Sequence, residues 1–190
     1  PFEGGVTYGG HQKWLTALGI RSFYADRSCS VTAVTNLLIY MSQRYPEALE
    51  FFKVDDLTQE AYNMRQLEVY ERLSPKLWGV PTLNKVVSVV ERFSSARGRA
   101  LFTARTEMSW TFENVRDYLV EGLNQDCPVL MVSWNSKTPD LALHWVTVTC
   151  VYESASGTQF VTSNWAKCRS YDLKKWVEED SLYKAVVYFR

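Results

Sequence analysis

The dipeptide Cys127-Pro128 divides this chain by periodicity. Before it, apolar residues recur every three or four positions; after it, β-branched and aromatic residues come in short runs separated by turn residues. A helical stripe and an alternating strand bury their apolar sides in different ways, so the halves form different elements that share a core by packing on one another.

In the first half, Val31, Val34, Leu37, Leu38 and Met41 step by three and four. They predict a helix over residues 30–44 that opens at or next to Cys29, with Asp26 and Ser28 available as caps. Similar patterns predict helices over 57–73, 83–93 and 112–123, the last with Ser109 and Thr111 as caps. Residues 1–28 carry five glycines with aromatics between them and read as an irregular arm, broken by a short helix near 12–18. In the second half, strands are expected over 129–134, 144–152, 159–163 and 185–189, with a turn at Ser156-Gly157 and a short helix over 172–179. The prediction is an α+β fold in a single domain spanning 1–190. Residues 1–125 are mainly helical, and the helix after Cys29 packs against an antiparallel sheet built from 126–190.

Composition removes several functions. Twenty-one basic residues balance 21 acidic ones without a cationic stripe, so nucleic acid is not an expected partner. No apolar run reaches the roughly 18 to 20 residues that span a bilayer. The sequence begins at Pro1 without methionine and is read as a processed or trimmed product. Four cysteines, at 29, 127, 150 and 168, form no CxxC pair and no disulfide scaffold, and with two histidines they lack metal-ligand spacing. No metal is expected. Retained thiols lean towards a reducing, cytoplasmic interior, although an extracellular thiol enzyme would carry the same pattern. The oligomeric state is left open.

Chemistry concentrates at three residues. Cys29 at a helix start faces unpaired N–H groups and the positive end of the helix dipole, which favour thiolate; the alternative is an inert buried cysteine. His144 opens the strand "HWVTVTCVYE" and can take a proton from a thiol and return it to a leaving group, or serve as a hydrogen-bonded structural histidine. Asn164 ends the next strand, and a hairpin through Ser156-Gly157 returns it to the start of the first, where it can fix the imidazole tautomer. Trp165 is a candidate to shield that bond and border a substrate cleft. The loop 135–141, with Asp140, leads into His144 and is a candidate cleft wall. His11 is expected as an exposed loop residue, and Cys127, Cys150 and Cys168 as small core or strand residues.

At these positions the sequence resembles a known family. "SCSVTAVTNLLIY" is similar to the nucleophile helix of papain-like cysteine peptidases, especially the bacterial branch that includes bacteriocin-processing, double-glycine leader peptidases. "ALHWVTVTCVYE" resembles that branch's histidine strand and "FVTSNWAKCRSYDLKKW" the strand after it, so the likeness runs from Cys29 to about Trp176. It implies Cys29 as nucleophile, His144 as base and then acid, and Asn164 as orienter. Ser30 stands where the family usually has glycine. The family's oxyanion hole commonly uses a glutamine about six residues upstream of the cysteine; that position is Phe23, and Gln12 is the only upstream glutamine.

The resemblance implies a cysteine peptidase that acts on a peptide or protein substrate through a thioester acyl-enzyme, without a cofactor. An acyltransferase or deamidase with the same triad, and a non-catalytic peptide-binding module, are the alternatives.

Overall fold

The computed structural model describes residues 7–45, 58–96, 101–103 and 108–190. The expected helix start at residue 57 and the first six residues of the arm lie outside them.

Helix α1, Ser22–Ala25, is one turn and leads into α2, Cys29–Arg44. The apolar step predicts one buried face for α2, yet twelve of its 16 residues are buried, because the helix runs through the middle of the molecule. Two of its buried hydroxyls are satisfied at short range: Thr35 Oγ1 donates to Val31 O at 2.8 Å and Ser42 Oγ to Ile39 O at 2.8 Å. Thr32 Oγ1 donates to Ser28 O at 3.3 Å and also accepts from Gln66 Nε2 of α3, Gln59–Leu73, at 2.7 Å. Helices α4, Leu83–Ser95, and α5, Phe112–Asn124, follow, with Thr111 accepting from Asn114 N to cap α5 as expected.

Five antiparallel strands follow: β1 Val129–Ser133, β2 His144–Ser154, β3 Gly157–Asn164, β4 Lys167–Asp172 and β5 Lys184–Val187, with α6, Leu173–Glu178, before the last. Their order across the sheet is β4-β3-β2-β1-β5. Strand β4 is absent from the sequence expectation. Its residues, "KCRSYD", are exposed or half-buried at a sheet edge and carry no apolar alternation.

Helix α2 lies on one face of this sheet, where Thr147 Oγ1 donates to Ala33 O at 3.1 Å and Asn36 Nδ2 to Ser163 Oγ at 3.0 Å. Phe160 is three residues from Ser163 on β3 and so points to the other face, where its ring meets Trp176 of α6 at 6.0 Å. The molecule is α+β, with helices on both faces of an antiparallel sheet and one apolar core from Leu15 to Phe189. Among the described residues no helix is long and apolar enough to cross a membrane.

Candidate active site

The first turn of α2 is left without a side-chain cap. Ser28 occupies the N-cap position, but its hydroxyl donates backwards to Tyr24 O at 2.7 Å. The first helical bond runs from Thr32 N to Ser28 O, so the N–H groups of Cys29 and Ser30 have no intrahelical acceptor. They point at the Cys29 sulfur, as does the N–H of Trp145 from β2. These donors lower the thiol pKa, but Cys29 is only 8% exposed, and burial outweighs them and pushes it above its ordinary value. Burial thus works against the thiolate that helix position alone favours.

His144 sits opposite Ser133 where β2 begins, after Leu143 at φ +50°, whose N–H donates to Trp134 O at 2.7 Å. Its Nε2 lies 2.7 Å from Asn164 Oδ1. Burial lowers the imidazole to about 4; the Asn164 bond and the charge of Asp140 work in the other direction.

The amide of Asn164 is fixed from behind. Its Nδ2 donates to the backbone carbonyl of Asp140 at 3.2 Å and to Tyr171 Oη at 3.2 Å. A carbonyl only accepts, so the NH₂ end must face Asp140 and the oxygen must face the imidazole. That oxygen accepts, so Nε2 carries the proton and Nδ1 is the basic nitrogen.

Trp165 and Ala166 connect β3 to β4 at φ +50° and +60°, a left-handed pair that this two-residue turn requires and that Asn-Gly supplies more readily. The arm holds the turn in place: Ala166 N donates to Gly10 O at 2.9 Å and Tyr8 N to Ala166 O at 2.9 Å. The indole of Trp165 is thereby kept 4.7 Å from the His144 ring.

The same arm delivers Gln12, 8% exposed, at the head of the 3₁₀ segment Gln12–Leu18. Its Nε2 donates to Asp26 O at 2.7 Å, which leaves one amide hydrogen for another acceptor. Gln12, Cys29, His144, Asn164 and Trp165 line one cavity of about 10 Å³. Asp140 is placed away from that cavity, against Asn164 and Tyr171. His11 is half-buried rather than exposed, because its Nδ1 caps the 3₁₀ segment by accepting from Lys13 N at 3.0 Å. Cys127 is buried, whereas Cys150 and Cys168 are exposed on strands. Among the described residues no three His, Cys, Asp or Glu side chains cluster as metal ligands do.

A cleft of about 600 Å³ opens beside the small cavity and reaches Cys29 and His144. Its walls include Leu77, Trp78, Pro81, Trp134 and Leu143. Trp78 is 85% exposed at the tip of a tight turn closed by Lys76 and Gly79, and Arg27 Nε holds that turn by donating to Leu77 O at 2.7 Å. Sequence reasoning missed this wall, although "LWGVP" has the signal: large apolar residues set among turn formers. No family model, curated protein or solved structure matches the chain.

Proposed function

We propose that this chain is a papain-like cysteine peptidase. The observation that carries the reading is the 2.7 Å bond between His144 and Asn164, whose amide direction leaves Nδ1 as the free base beside the cysteine that opens α2. A peptide enters by the 600 Å³ cleft, with its apolar side chains against Trp78 and Leu143. Nδ1 of His144 takes the Cys29 proton as sulfur attacks the scissile carbonyl. The Cys29 N–H and the free hydrogen of the Gln12 amide receive the oxyanion. The imidazolium then gives its proton to the leaving amine as the C–N bond breaks, and a thioester remains. Water, deprotonated by His144, attacks the thioester and releases the acid and the thiol.

Burial of both Cys29 and His144 favours a second reading, a binding module that keeps the fold without turnover. Mass spectrometry of the protein incubated with a diverse peptide pool separates them. The peptidase reading expects new peptide termini, a thioester adduct on Cys29 at short times, and loss of both in Cys29→Ala. Peptide retention that is equal in the native protein and Cys29→Ala, with no cleavage in either, would support the binding module.

A further inference from the structure

We propose that Tyr171 and Asp140 are positioning residues that act on His144 through Asn164, with Asp140 supplying the negative charge that an asparagine lacks. The inference rests on the reading of His144 as the catalytic base.

The chain of bonds has one direction. Asn164 Nδ2 donates to Tyr171 Oη at 3.2 Å, so that hydroxyl turns its own hydrogen outward, and it donates to Asp140 Oδ2 at 3.3 Å. Burial pushes the Tyr171 hydroxyl above its ordinary pKa, which keeps that hydrogen in place. His144, Asn164, Tyr171 and Asp140 are therefore linked as donor to acceptor at every step, ending on a carboxylate. Asp140 contributes twice, through its backbone carbonyl to the Asn164 amide and through its side chain to the tyrosine. When His144 gains a proton, the chain is polarised towards the imidazolium without any further proton moving, and successive hydrogen bonds reinforce one another.

Groups facing His144 come from several elements: Cys29 of α2, Asp140 of the 3₁₀ turn before β2, Asn164 and Trp165 from the end of β3, and His11 of the arm, whose charge opposes that of Asp140. Asp26 and Arg27 border the cleft on the same side. Asp140 is the carboxylate whose charge supports the imidazolium, and Tyr171 is its connection to the amide. The Asp140 carboxylate supplies the charge, the Asp140 carbonyl sets the amide direction, and the Tyr171 hydroxyl joins the carboxylate to the amide.

Conservative variants separate these effects. Tyr171→Phe keeps the ring, which packs 5.5 Å from Phe160, and removes the hydroxyl. Asp140→Asn keeps an acceptor for the tyrosine and removes the charge. The experiment is a ¹⁵N-imidazole NMR titration of the full chain, the two histidines being distinguished by His11→Gln. In Asp140→Asn the His144 midpoint falls by roughly half a unit with the Nε2–H tautomer kept. In Tyr171→Phe the Asp140 carbonyl still holds the amide, so the tautomer is kept, the His144 midpoint falls because the link to the Asp140 carboxylate is cut, and Cys29 alkylation slows by about tenfold, the scale seen when a supporting hydrogen bond is lost. Backbone NMR spectra that superpose on the native one establish that both variants are folded.

An unchanged His144 midpoint in both variants would overturn the inference. The peptidase reading fails separately: it falls if His144→Ala leaves Cys29 alkylation unaltered, whatever the titration shows.

Discussion

The backbone carbonyl of Asp140 and the side chain of Asn164 meet at 3.2 Å, and this contact determines which nitrogen of His144 is basic. Asn164→Ala removes the only acceptor on Nε2 that the amide provides. We expect the rate of Cys29 acylation to fall by roughly two to four orders of magnitude, the range that a positioned general base contributes. Stopped-flow measurement of thioester formation checks it, with circular dichroism to establish that the variant remains folded.

Gln12 and the Cys29 N–H are assigned to the oxyanion, and this role separates two kinds of reaction at one sulfur. Peptide turnover builds an oxyanion; alkylation by iodoacetamide does not. Gln12→Ala is expected to lower turnover by roughly 100- to 1000-fold while leaving the alkylation rate within a few-fold. Equal losses in both would assign Gln12 to holding Asp26, the residue whose carbonyl its Nε2 meets at 2.7 Å.

Stability carries a signature of His144. Its folded value of about 4 lies below the unfolded 6.5, so above pH 6.5 both states are neutral and the fold keeps its full stability. As pH falls, the unfolded chain takes up the proton first, and stability is lost progressively until the folded value is passed. The loss from this group amounts to about 3 kcal/mol at full extent. Urea unfolding at pH 7 and pH 4.5 measures it, and His144→Gln is expected to remove that part of the pH dependence.

Two single substitutions outside the triad have opposite expected signs. The Ser30 hydroxyl is buried without a hydrogen-bond partner among the described residues, so Ser30→Ala is expected to stabilise by about 1 kcal/mol. Gly79 holds φ +68°, and a Cβ there would lie 2.8 Å from Arg27 O. Gly79→Ala is expected to cost about 1–2 kcal/mol and to shift the turn that carries Trp78. Thermal unfolding of the two variants reads both signs.

The sequence carried the elements whose signals are apolar and periodic. The step from Val31 to Met41 predicts α2, and the run from His144 predicts β2, because burial imposes those periods. The spacing of His144 and Asn164 on consecutive strands was also legible, since a short hairpin returns one end near the other. Strand β4 was not, because an exposed edge strand needs no apolar alternation. Nor was the state of the Cys29 thiol: the helix start is a local feature, whereas its burial comes from packing of distant segments. The supports of Asn164 were hidden for a similar reason, one being a backbone carbonyl and the other a tyrosine on the unexpected strand.

The central claim is that His144 serves as base to a protonated Cys29, and the alkylation of each cysteine by iodoacetamide from pH 3 to 9 tests it most directly. The exposed Cys150 and Cys168 give the internal reference. The account predicts that Cys29 reacts with an inflection near pH 4, where His144 becomes neutral, stays on a plateau through neutral pH, and loses this behaviour in His144→Ala. A Cys29 that reacts only as the pH enters the alkaline range, with the same profile in His144→Ala, would contradict it.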